Sequence, residues 1–382
     1  ELRRSSDSRR DREEADAPMK TLVLGTGIVG SAAVWDLVRR GHTVTVADAD
    51  PAAAAGVGRR FDIRHTQVDV GDRDQVDFLM QGSDAVVSAV PYRYGVVVAE
   101  SAIRAGAHYA DFGGNPTVVA AQHELNEAAV ANDVLVAPDC GLAPGLANVL
   151  AAYLIETTPG RIRSAQMRVG ALPQEPVGAL GYQLAFSPAG LINEYAEPCE
   201  IIEDGRYRTV DPLTRFETVE WDNWGPLEAF STAGGTSTMC RERQGTVDDL
   251  EYKTLRFPGH GHIFAAIREM GLFDESGDPS PRSALLTALE RTLPRDAPDL
   301  VLVRVWVETE ETTRVLELED VHDGTFSALA RTTAFPATAL IDQVVNGAIT
   351  MRGVQSMQRA IDGTSLIDDL SPVGIVVVER PG

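Results

Sequence analysis

The segment Lys20–Asp48, KTLVLGTGIVGSAAVWDLVRRGHTVTVAD, decides how the first part of this chain folds. It begins with a β-branched and apolar run, Thr21–Leu24, passes through the glycine-rich turn Gly25–Gly30, and continues with the spacing of an amphipathic helix. Gly41 ends the helical pattern, and Thr43–Ala47 has the composition of a second strand. The segment therefore predicts a βαβ unit of about thirty residues.

The glycines of the turn have the G-x-G-x-x-G spacing of a dinucleotide-binding site. Gly25 permits the tight turn, Gly27 lets a pyrophosphate approach the backbone, and Gly30 allows the helix to pack closely on the strand. The first helical residues, Ile28 and Val29, contribute amide groups and the partial positive charge of a helix N-terminus. We therefore predict that these five residues bind a dinucleotide cofactor.

Asp48 follows the second strand, 18 residues beyond Gly30. A carboxylate at this position accepts hydrogen bonds from ribose hydroxyls and repels a 2′-phosphate, so the predicted cofactor is NAD rather than NADP. A merely solvated acid at a strand end is the alternative. Ala89, Val90 and Pro91 end another apolar strand, and we predict that they flank the nicotinamide half of the cofactor.

Strand and helix patterns continue to alternate as far as Ala137, which predicts an α/β fold with a Rossmann-type, doubly wound parallel sheet. From Arg161 the pattern changes to hairpin strands, with a turn at Glu203–Gly205, and predicts an inserted α+β second domain. The sequence thus predicts four segments: a disordered leader at 1–18, an NAD-binding domain at 19–150, an α+β domain at 151–325, and a C-terminal segment at 326–382 that returns to the first domain.

Composition and charge exclude several kinds of partner. Lys and Arg number 34 and Asp and Glu 56, so the net charge of −22 disfavours nucleic acid and anionic lipid. No apolar stretch reaches the ~18 residues of a membrane span. The chain has 3 cysteines and no apolar signal segment before them, so we expect a reducing, cytoplasmic setting and no disulfide.

Two further strands are followed by an acid and by small residues. Asp111 precedes Gly113 and Gly114, and Asp139 follows the next apolar strand. Because the carboxyl ends of parallel strands form ligand sites, we expect these residues, with Tyr92, to contact a cationic substrate. Capping of a helix or turn by either aspartate is an open alternative.

In the second domain, the small hydroxylated loop GGTST at 234–238 offers backbone amides to an anion. We predict that Gly235, Thr236 and Ser237 bind a substrate carboxylate together with Arg241. A plain turn is the alternative.

Among the 34 basic residues only Lys20 and Lys253 are lysines. An ammonium can lose its proton near neutral pH and a guanidinium cannot, so Lys253 is the first candidate for a catalytic base, followed by His260 and Asp139. An ion pair at the domain junction is the alternative for Lys253. His260 and His262 lack further ligands at suitable spacing, so no metal site is expected.

The chain resembles the saccharopine dehydrogenase family, and most closely its lysine 6-dehydrogenase branch. The blocks that carry the resemblance are DFGG at 111–114, GLAPG at 141–145, GPLEAF at 225–230, GGTST at 234–238, YKTLRFPGH at 252–260 and ARTTA at 330–334. The resemblance implies a split Rossmann domain closed by the C-terminal segment, and a second domain that lines the substrate site and forms a homodimer or a higher oligomer.

The resemblance also implies NAD-dependent oxidation of a C–N bond in an amino acid, with oxidation of the ε-amine of L-lysine to the semialdehyde or cyclic imine as the leading expectation. A saccharopine-type or carboxynorspermidine-type enzyme, which makes or breaks a secondary amine, is the runner-up. A non-catalytic NAD-binding regulator is the third alternative.

Overall fold

A computed structural model describes residues 19–113, 115–295 and 297–381. The predicted leader at 1–18 and the predicted substrate contact Gly114 lie outside the described residues. The strands are β1 (Lys20–Leu24), β2 (Thr43–Asp48), β3 (Arg64–Gln67), β4 (Ala85–Ser88), β5 (His108–Asp111), β6 (Leu135–Ala137), β7 (Ile162–Pro173), β8 (Cys199–Glu203), β9 (Arg206–Val210), β10 (Glu217–Trp221), β11 (Gly225–Ser231), β12 (Val247–Arg256), β13 (Asp299–Glu308), β14 (Thr313–Val321), β15 (Gly353–Val354) and β16 (Val377–Pro381). The helices are α1 (Ile28–Arg39), α2 (Pro51–Phe61), α3 (Arg73–Met80), α4 (Gly95–Ala105), α5 (Pro116–His123), α6 (Asn126–Ala131), α7 (Leu146–Thr157), α8 (Pro188–Ala196), α9 (Met239–Arg243), α10 (His260–Glu269), α11 (Pro281–Thr292), α12 (Ala328–Val345), α13 (Met357–Ala360) and α14 (Gly363–Leu370).

The first sheet has the order β15-β6-β5-β4-β1-β2-β3, and its pairings are parallel. Its inner strands are continuous apolar runs, such as the buried Leu22–Leu24, because helices cover both faces. The strand order reverses between β1 and β4, which opens a crevice at their carboxyl ends. The predicted doubly wound parallel sheet is confirmed.

The second sheet is mixed, with the order β10-β11-β12-β7-β13-β14-β16 and β8 and β9 attached beside β12. β12 and β7 are parallel, whereas β13 pairs antiparallel with β7 and β14. The predicted turn at Glu203–Gly205 joins β8 to β9, with Asp204 and Gly205 both at positive φ. The predicted second domain of mixed strands and helices is therefore present.

The two sheets share one apolar core. Helix α7 is buried along most of its length and packs against β7 and β13, while α12 packs against α1. Trp35 of α1 stacks on Phe335 of α12 with ring centroids 5.4 Å apart. Asp36, buried beneath them, accepts a hydrogen bond from Thr338 Oγ1 at 2.6 Å and pairs with Arg40 at 2.7 Å. This packing fixes the orientation of the second domain relative to the crevice of the first sheet.

The C-terminal segment divides between the two sheets. β15 pairs with β6 and extends the first sheet, in the way the sequence predicts for 326–382. β16, however, pairs with β14 at the edge of the second sheet, with Val377 opposite Leu318. The prediction that the whole segment returns to the first domain is wrong for Val377–Pro381, because these residues supply an edge strand to the exposed side of β14.

Among the described residues, no helix combines the length and the apolar character needed to cross a bilayer. Cys140, Cys199 and Cys240 are buried and unpaired.

Candidate active site

The glycine turn between β1 and α1 has no room for side chains at two of its three glycines. Gly25 has a φ of +95°, and a Cβ placed there would lie 2.6 Å from the Ala89 carbonyl oxygen. A Cβ on Gly30 would lie 2.1 Å from the Gly25 oxygen, whereas Gly27 faces open space. Gly27 precedes α1 and has no side chain to bond the first helical amides, so these amides stay available to a pyrophosphate. The turn therefore fits the dinucleotide predicted for it.

Asp48, at the end of β2, is held against this turn. One of its oxygens accepts hydrogen bonds from the Thr26 amide at 2.8 Å and the Thr26 hydroxyl at 2.7 Å, and the other accepts from the Asp50 amide at 2.9 Å. Partial burial acts to raise the pKa of Asp48, but these hydrogen bonds outweigh it and hold the pKa below its usual value. A fixed negative charge thus stands where the adenosine ribose of a bound dinucleotide lies in such folds.

A large cleft, of about 1360 Å³, opens between the carboxyl ends of the first sheet and the second domain. Val29, Ala89, Val90 and Pro91 line its first-domain wall, as does Tyr92, which starts a short 3₁₀ turn after β4. These cofactor-side residues and the predicted substrate-side residues Gly113, Asp139, Thr236, Ser237 and Arg241 thus border one cavity.

Asp111 does not line the large cleft but a smaller cavity beside it, of about 160 Å³, whose wall also includes Tyr92 and Gly113. Its carboxylate accepts hydrogen bonds from Tyr109 Oη at 2.9 Å, Gln122 Nε2 at 2.6 Å, and the amides of Gly113 and Asp139 at 2.9 and 3.1 Å. Burial raises the pKa of Asp111, while these hydrogen bonds oppose the shift. The bonding matches the capping alternative, because the carboxylate ties together the ends of β5 and β6.

Asp139 borders the cleft at a strained backbone position, with a φ of +60°. Its Oδ2 accepts a hydrogen bond from Ser237 Oγ of the second domain at 2.5 Å. A Cβ at Gly113 would lie 1.7 Å from Asp139 Oδ1, so only glycine leaves room for this carboxylate. Asp139 therefore links the two walls of the cleft.

The Gly234–Thr238 loop is anchored by its carbonyl groups. Asn148 Nδ2 donates to the oxygens of Gly235 and Thr236, both at 3.1 Å. Arg241, the predicted partner of a substrate carboxylate, already pairs with Glu200 at 2.7 Å. Gly235 packs beneath the Tyr252 ring, where a Cβ would come within 2.4 Å of the ring, and does not line the cleft.

The structure places Lys253 away from the cleft, which corrects its assignment as catalytic base. Its Nζ lies 3.0 Å from Glu217 Oε2 and 3.5 Å from Glu251 Oε2, beside Arg168 of β7. Side chains alternate along a strand, and the cleft side of β12 belongs to Tyr252 and its alternate neighbours. Lys253 lies within β12, on the face of the strand opposite the cleft.

His260, at the start of α10, is a second correction. It is 1% exposed and lies outside the cleft lining. Its Nδ1 lies 2.9 Å from the Leu180 carbonyl oxygen, so Nδ1 carries the proton and Nε2 accepts from Tyr195 Oη, also at 2.9 Å. Burial and the charge of Arg256 lower the pKa of His260 to about 3, so the ring is neutral and supports Tyr195.

Sequence reasoning missed a pair of cleft residues, Glu194 of α8 and Arg256 of β12. Their charged groups lie 3.9 Å apart, from Glu194 Oε2 to Arg256 Nη2. Burial raises the pKa of Glu194 to about 7, although Arg256 opposes the shift. The helical pattern does not mark Glu194 as a functional residue. An acid in a helix that also carries apolar residues such as Ile192 and Tyr195 is typical of the solvent-facing side of an amphipathic helix.

Within the described residues, no group of three or more His, Cys, Asp and Glu side chains is arranged to hold a metal ion.

These features define an α/β dinucleotide-binding protein whose second, mixed-sheet domain completes a ligand cleft. The family model for the saccharopine dehydrogenase NADP binding domain matches residues 21–136, and the model for the saccharopine dehydrogenase C-terminal domain matches residues 141–375. The chain belongs to the saccharopine dehydrogenase family, as its motifs predict.

Two curated relatives, from Pyricularia oryzae and Saccharomyces cerevisiae, are each named saccharopine dehydrogenase [NADP(+), L-glutamate-forming]. The first is 26% identical over 281 residues, which cover 70% of this chain and 61% of the relative. The second is 27% identical over 266 residues, which cover 67% and 59%. The chain therefore spans about three fifths of the length of these relatives.

A solved structure of apo saccharopine dehydrogenase (L-Glu forming) from Saccharomyces cerevisiae superposes with a TM-score of 0.79 at 19% identity. The match covers 95% of this chain and 100% of that one, which shows a common fold.

Proposed function

We propose that this chain is an NAD-dependent oxidoreductase that oxidises a C–N bond of a cationic amino acid, with the ε-amine of L-lysine as the leading substrate. The product is the semialdehyde or the cyclic imine that forms from it. A bound nicotinamide supplies a hydride acceptor. The chain's own residues bind and orient the amine, exclude water and remove a proton from its nitrogen.

The charge of the cleft is the observation that carries this proposal. Among the described lining residues, six carry carboxyl groups and three are arginines. The carboxyl groups belong to Glu124, Asp139, Glu194, Glu197, Glu200 and Glu242. Two of the arginines are already engaged, Arg241 by Glu200 and Arg256 by Glu194. An acidic cavity of this kind attracts a cationic amine and repels a substrate with several carboxylates.

Asp48 supports NAD over NADP as the cofactor. Its carboxylate is fixed beside the glycine turn by Thr26 and by the Asp50 amide, and its lowered pKa keeps it charged at neutral pH. A 2′-phosphate at this place would meet that charge. The curated relatives are named for NADP(+), so the NAD preference that we propose would distinguish this chain from them.

The test is a panel of amines with each cofactor, followed by the absorbance of the reduced nicotinamide. L-lysine, other diamino acids, polyamines and saccharopine are offered with NAD and with NADP. The proposal expects amine-dependent reduction of NAD with L-lysine or a similar diamino acid. Reduction only with secondary amines, or no reduction with any amine, would refute it.

The relatives' names favour a second candidate, a dehydrogenase for a secondary amine such as saccharopine. That substrate carries three carboxylates, and the engaged arginines offer few free positive charges to hold them. We therefore rank it below lysine. A non-catalytic NAD-binding regulator would bind NAD in the same panel without reducing it.

We also propose that the protein is a homodimer that associates through the face of the second sheet turned away from the cleft. Trp306 and Arg304 are half-buried on this face, where they pack against the buried Arg168 and Trp221 with cation-to-ring distances of 5.0 and 4.5 Å. Aromatic and arginine side chains are enriched in interfaces. Light scattering should give twice the chain mass of 41.0 kDa.

A further inference from the structure

Glu194 differs from the other acidic residues of the cleft in its bonding. Each of the other cleft carboxyl groups that is not exposed, those of Asp139, Glu197, Glu200 and Glu242, accepts a hydrogen bond from a neighbouring side chain. Within the described residues, the Glu194 carboxyl group receives no such bond, and its contact is the 3.9 Å ion pair with Arg256. Its acceptor capacity is therefore available to a ligand.

On the side turned away from the cleft, buried aromatic residues surround Glu194. Tyr182, Tyr195 and Tyr252 lie close enough to interact electrostatically with its carboxyl group, and all three are buried. The Glu194 side chain keeps 31% of its surface, at the cleft lining. Arg256 is the charged group opposite. A ligand in the cleft can thus reach a carboxyl group whose other sides are covered by protein.

Oxidation of an amine requires a free electron pair on its nitrogen, and at neutral pH an alkylamine is protonated, with a pKa of about 10.4. Burial disfavours both charges of a carboxylate–ammonium pair, so it raises the pKa of the acid and lowers that of the amine. Burial does raise the pKa of Glu194, to about 7. A carboxylate in this environment is a stronger base than one in water, and an ammonium group paired with it is a stronger acid than one in water.

We propose that Glu194 accepts the proton of the substrate ammonium group, an assignment that rests on the proposed function. One N–H bond of the ammonium breaks, and an O–H bond forms on the carboxylate. The electron pair left on nitrogen then forms the C=N bond as the neighbouring carbon loses hydride to the oxidised nicotinamide. The carboxylate becomes a neutral carboxylic acid, the ammonium group becomes an iminium ion, and the nicotinamide takes up the hydride, so charge and electrons balance.

Arg256 acts as a positioning residue for this carboxylate. Its Nε donates to Tyr195 Oη at 3.2 Å, and Tyr195 in turn donates to His260 Nε2. Its guanidinium lies over the Tyr182 ring at 5.0 Å. These contacts fix the cation beside Glu194, where it keeps part of the carboxyl population ionised at neutral pH.

The test compares pH profiles of kcat/KM for the wild-type chain and for Glu194→Gln. The wild-type profile should rise through an acidic limb near pH 7, set by ionisation of Glu194. In Glu194→Gln the limb should disappear and the rate at pH 7 fall about 10²–10⁴-fold. The remaining rate should then rise about tenfold per pH unit as free amine accumulates below its pKa of about 10.4. Glu127→Gln, an equal charge change on the exposed face of α6, should keep the wild-type profile.

A second measurement does not depend on turnover. L-lysine is titrated calorimetrically at pH 6 into protein saturated with NADH, which cannot accept hydride, in two buffers of different ionisation enthalpy. Because Glu194 is mostly protonated at this pH, the wild type should release close to one proton for each lysine bound. Glu194→Gln should release none. Glu194→Asp, which retains a carboxyl group, should restore the proton release and part of the rate.

Turnover by Glu194→Gln with an unchanged acidic limb and unchanged proton release would overturn the assignment while leaving the proposed function intact. Loss of the limb in Asp139→Asn instead of Glu194→Gln would overturn it as well. Absence of amine-dependent NAD reduction in the wild-type chain would refute the proposed function itself.

Discussion

Replacement of Lys253 with methionine tests whether this lysine acts in the chemistry or in the stability of the second sheet. Methionine keeps the length of the side chain and removes its charge. In the native protein Lys253 and Arg168 share the carboxylates of Glu217 and Glu251. The variant therefore leaves Glu217 with Arg168 alone, and Glu251 with Arg168 and with Arg215, whose Nε lies 2.6 Å from Glu251 Oε1.

The structure sets the size of the expected loss. A hydrogen bond between charged groups contributes about 1.5–3 kcal/mol, and removal of one partner from a fully buried pair costs about 3–5 kcal/mol. The Glu217 side chain is 35% exposed, so water and Arg168 take over part of its interaction, whereas Glu251 is 9% exposed. We expect Lys253→Met to lose about 1–3 kcal/mol of unfolding free energy, and Lys253→Arg to lose less.

Urea denaturation measures this loss as a lower midpoint at an unchanged slope. Amine-dependent reduction of NAD, measured on the same samples at a temperature where both are folded, should stay within about twofold of wild type, because kcat/KM reports transition-state contacts that Lys253 does not make. A fall of a hundredfold or more in a folded Lys253→Arg variant would refute the placement of Lys253. Unchanged stability of Lys253→Met would refute the energetic value assigned to its ion pairs.

Three further outcomes are expected. Asp48→Ser combined with Ala49→Arg should narrow or reverse the preference for NAD over NADP, measured as the ratio of the two Kd values, because the double variant removes the charge that opposes a 2′-phosphate. Tighter binding of NADP than of NAD by the wild type would contradict this role of Asp48. Asp139→Asn should raise the KM for the amine more than the Kd for NAD, and equal losses would indicate a purely structural link. Burial raises the pKa of Asp320 to about 7, so the folded state holds this proton more tightly than the unfolded state, and unfolding free energy should fall as pH rises from about 4 to about 7. At about 1.4 kcal/mol per pKa unit this fall amounts to at most about 4 kcal/mol, and Asp320→Asn should flatten it in urea titrations at successive pH values.

The first sheet could be predicted because its signals are local. The glycine turn, the helix after it and the apolar strand Thr43–Ala47 fall within one short segment, and each needs only its neighbours to adopt its structure. The cofactor-side wall of the cleft could be predicted for the same reason, because Ala89 and Val90 directly follow the apolar strand β4.

The substrate side could not be predicted in the same way, because it depends on contacts between distant segments. Lys253 was misplaced because the sequence does not show that β12 runs from Val247 to Arg256, which sets the face of every side chain along it. Glu194 was missed because a helical pattern gives the buried side of α8 but not which other part of the chain lies across from it. Asp111 and Asp139 have similar sequence contexts, yet four hydrogen-bond donors surround the carboxylate of Asp111, and only Asp139 lines the large cleft.

The way the last strands join the two sheets has a consequence for how the protein folds during synthesis. β15 completes the edge of the first sheet beside β6, and β16 completes the edge of the second beside β14. Neither sheet can reach its final width until the ribosome has released residues 353–381. Until then β6 and β14 expose unpaired edges, which are sites of aggregation. A ribosome-bound chain stalled before residue 353 should therefore recruit chaperones more strongly than one that has released β16.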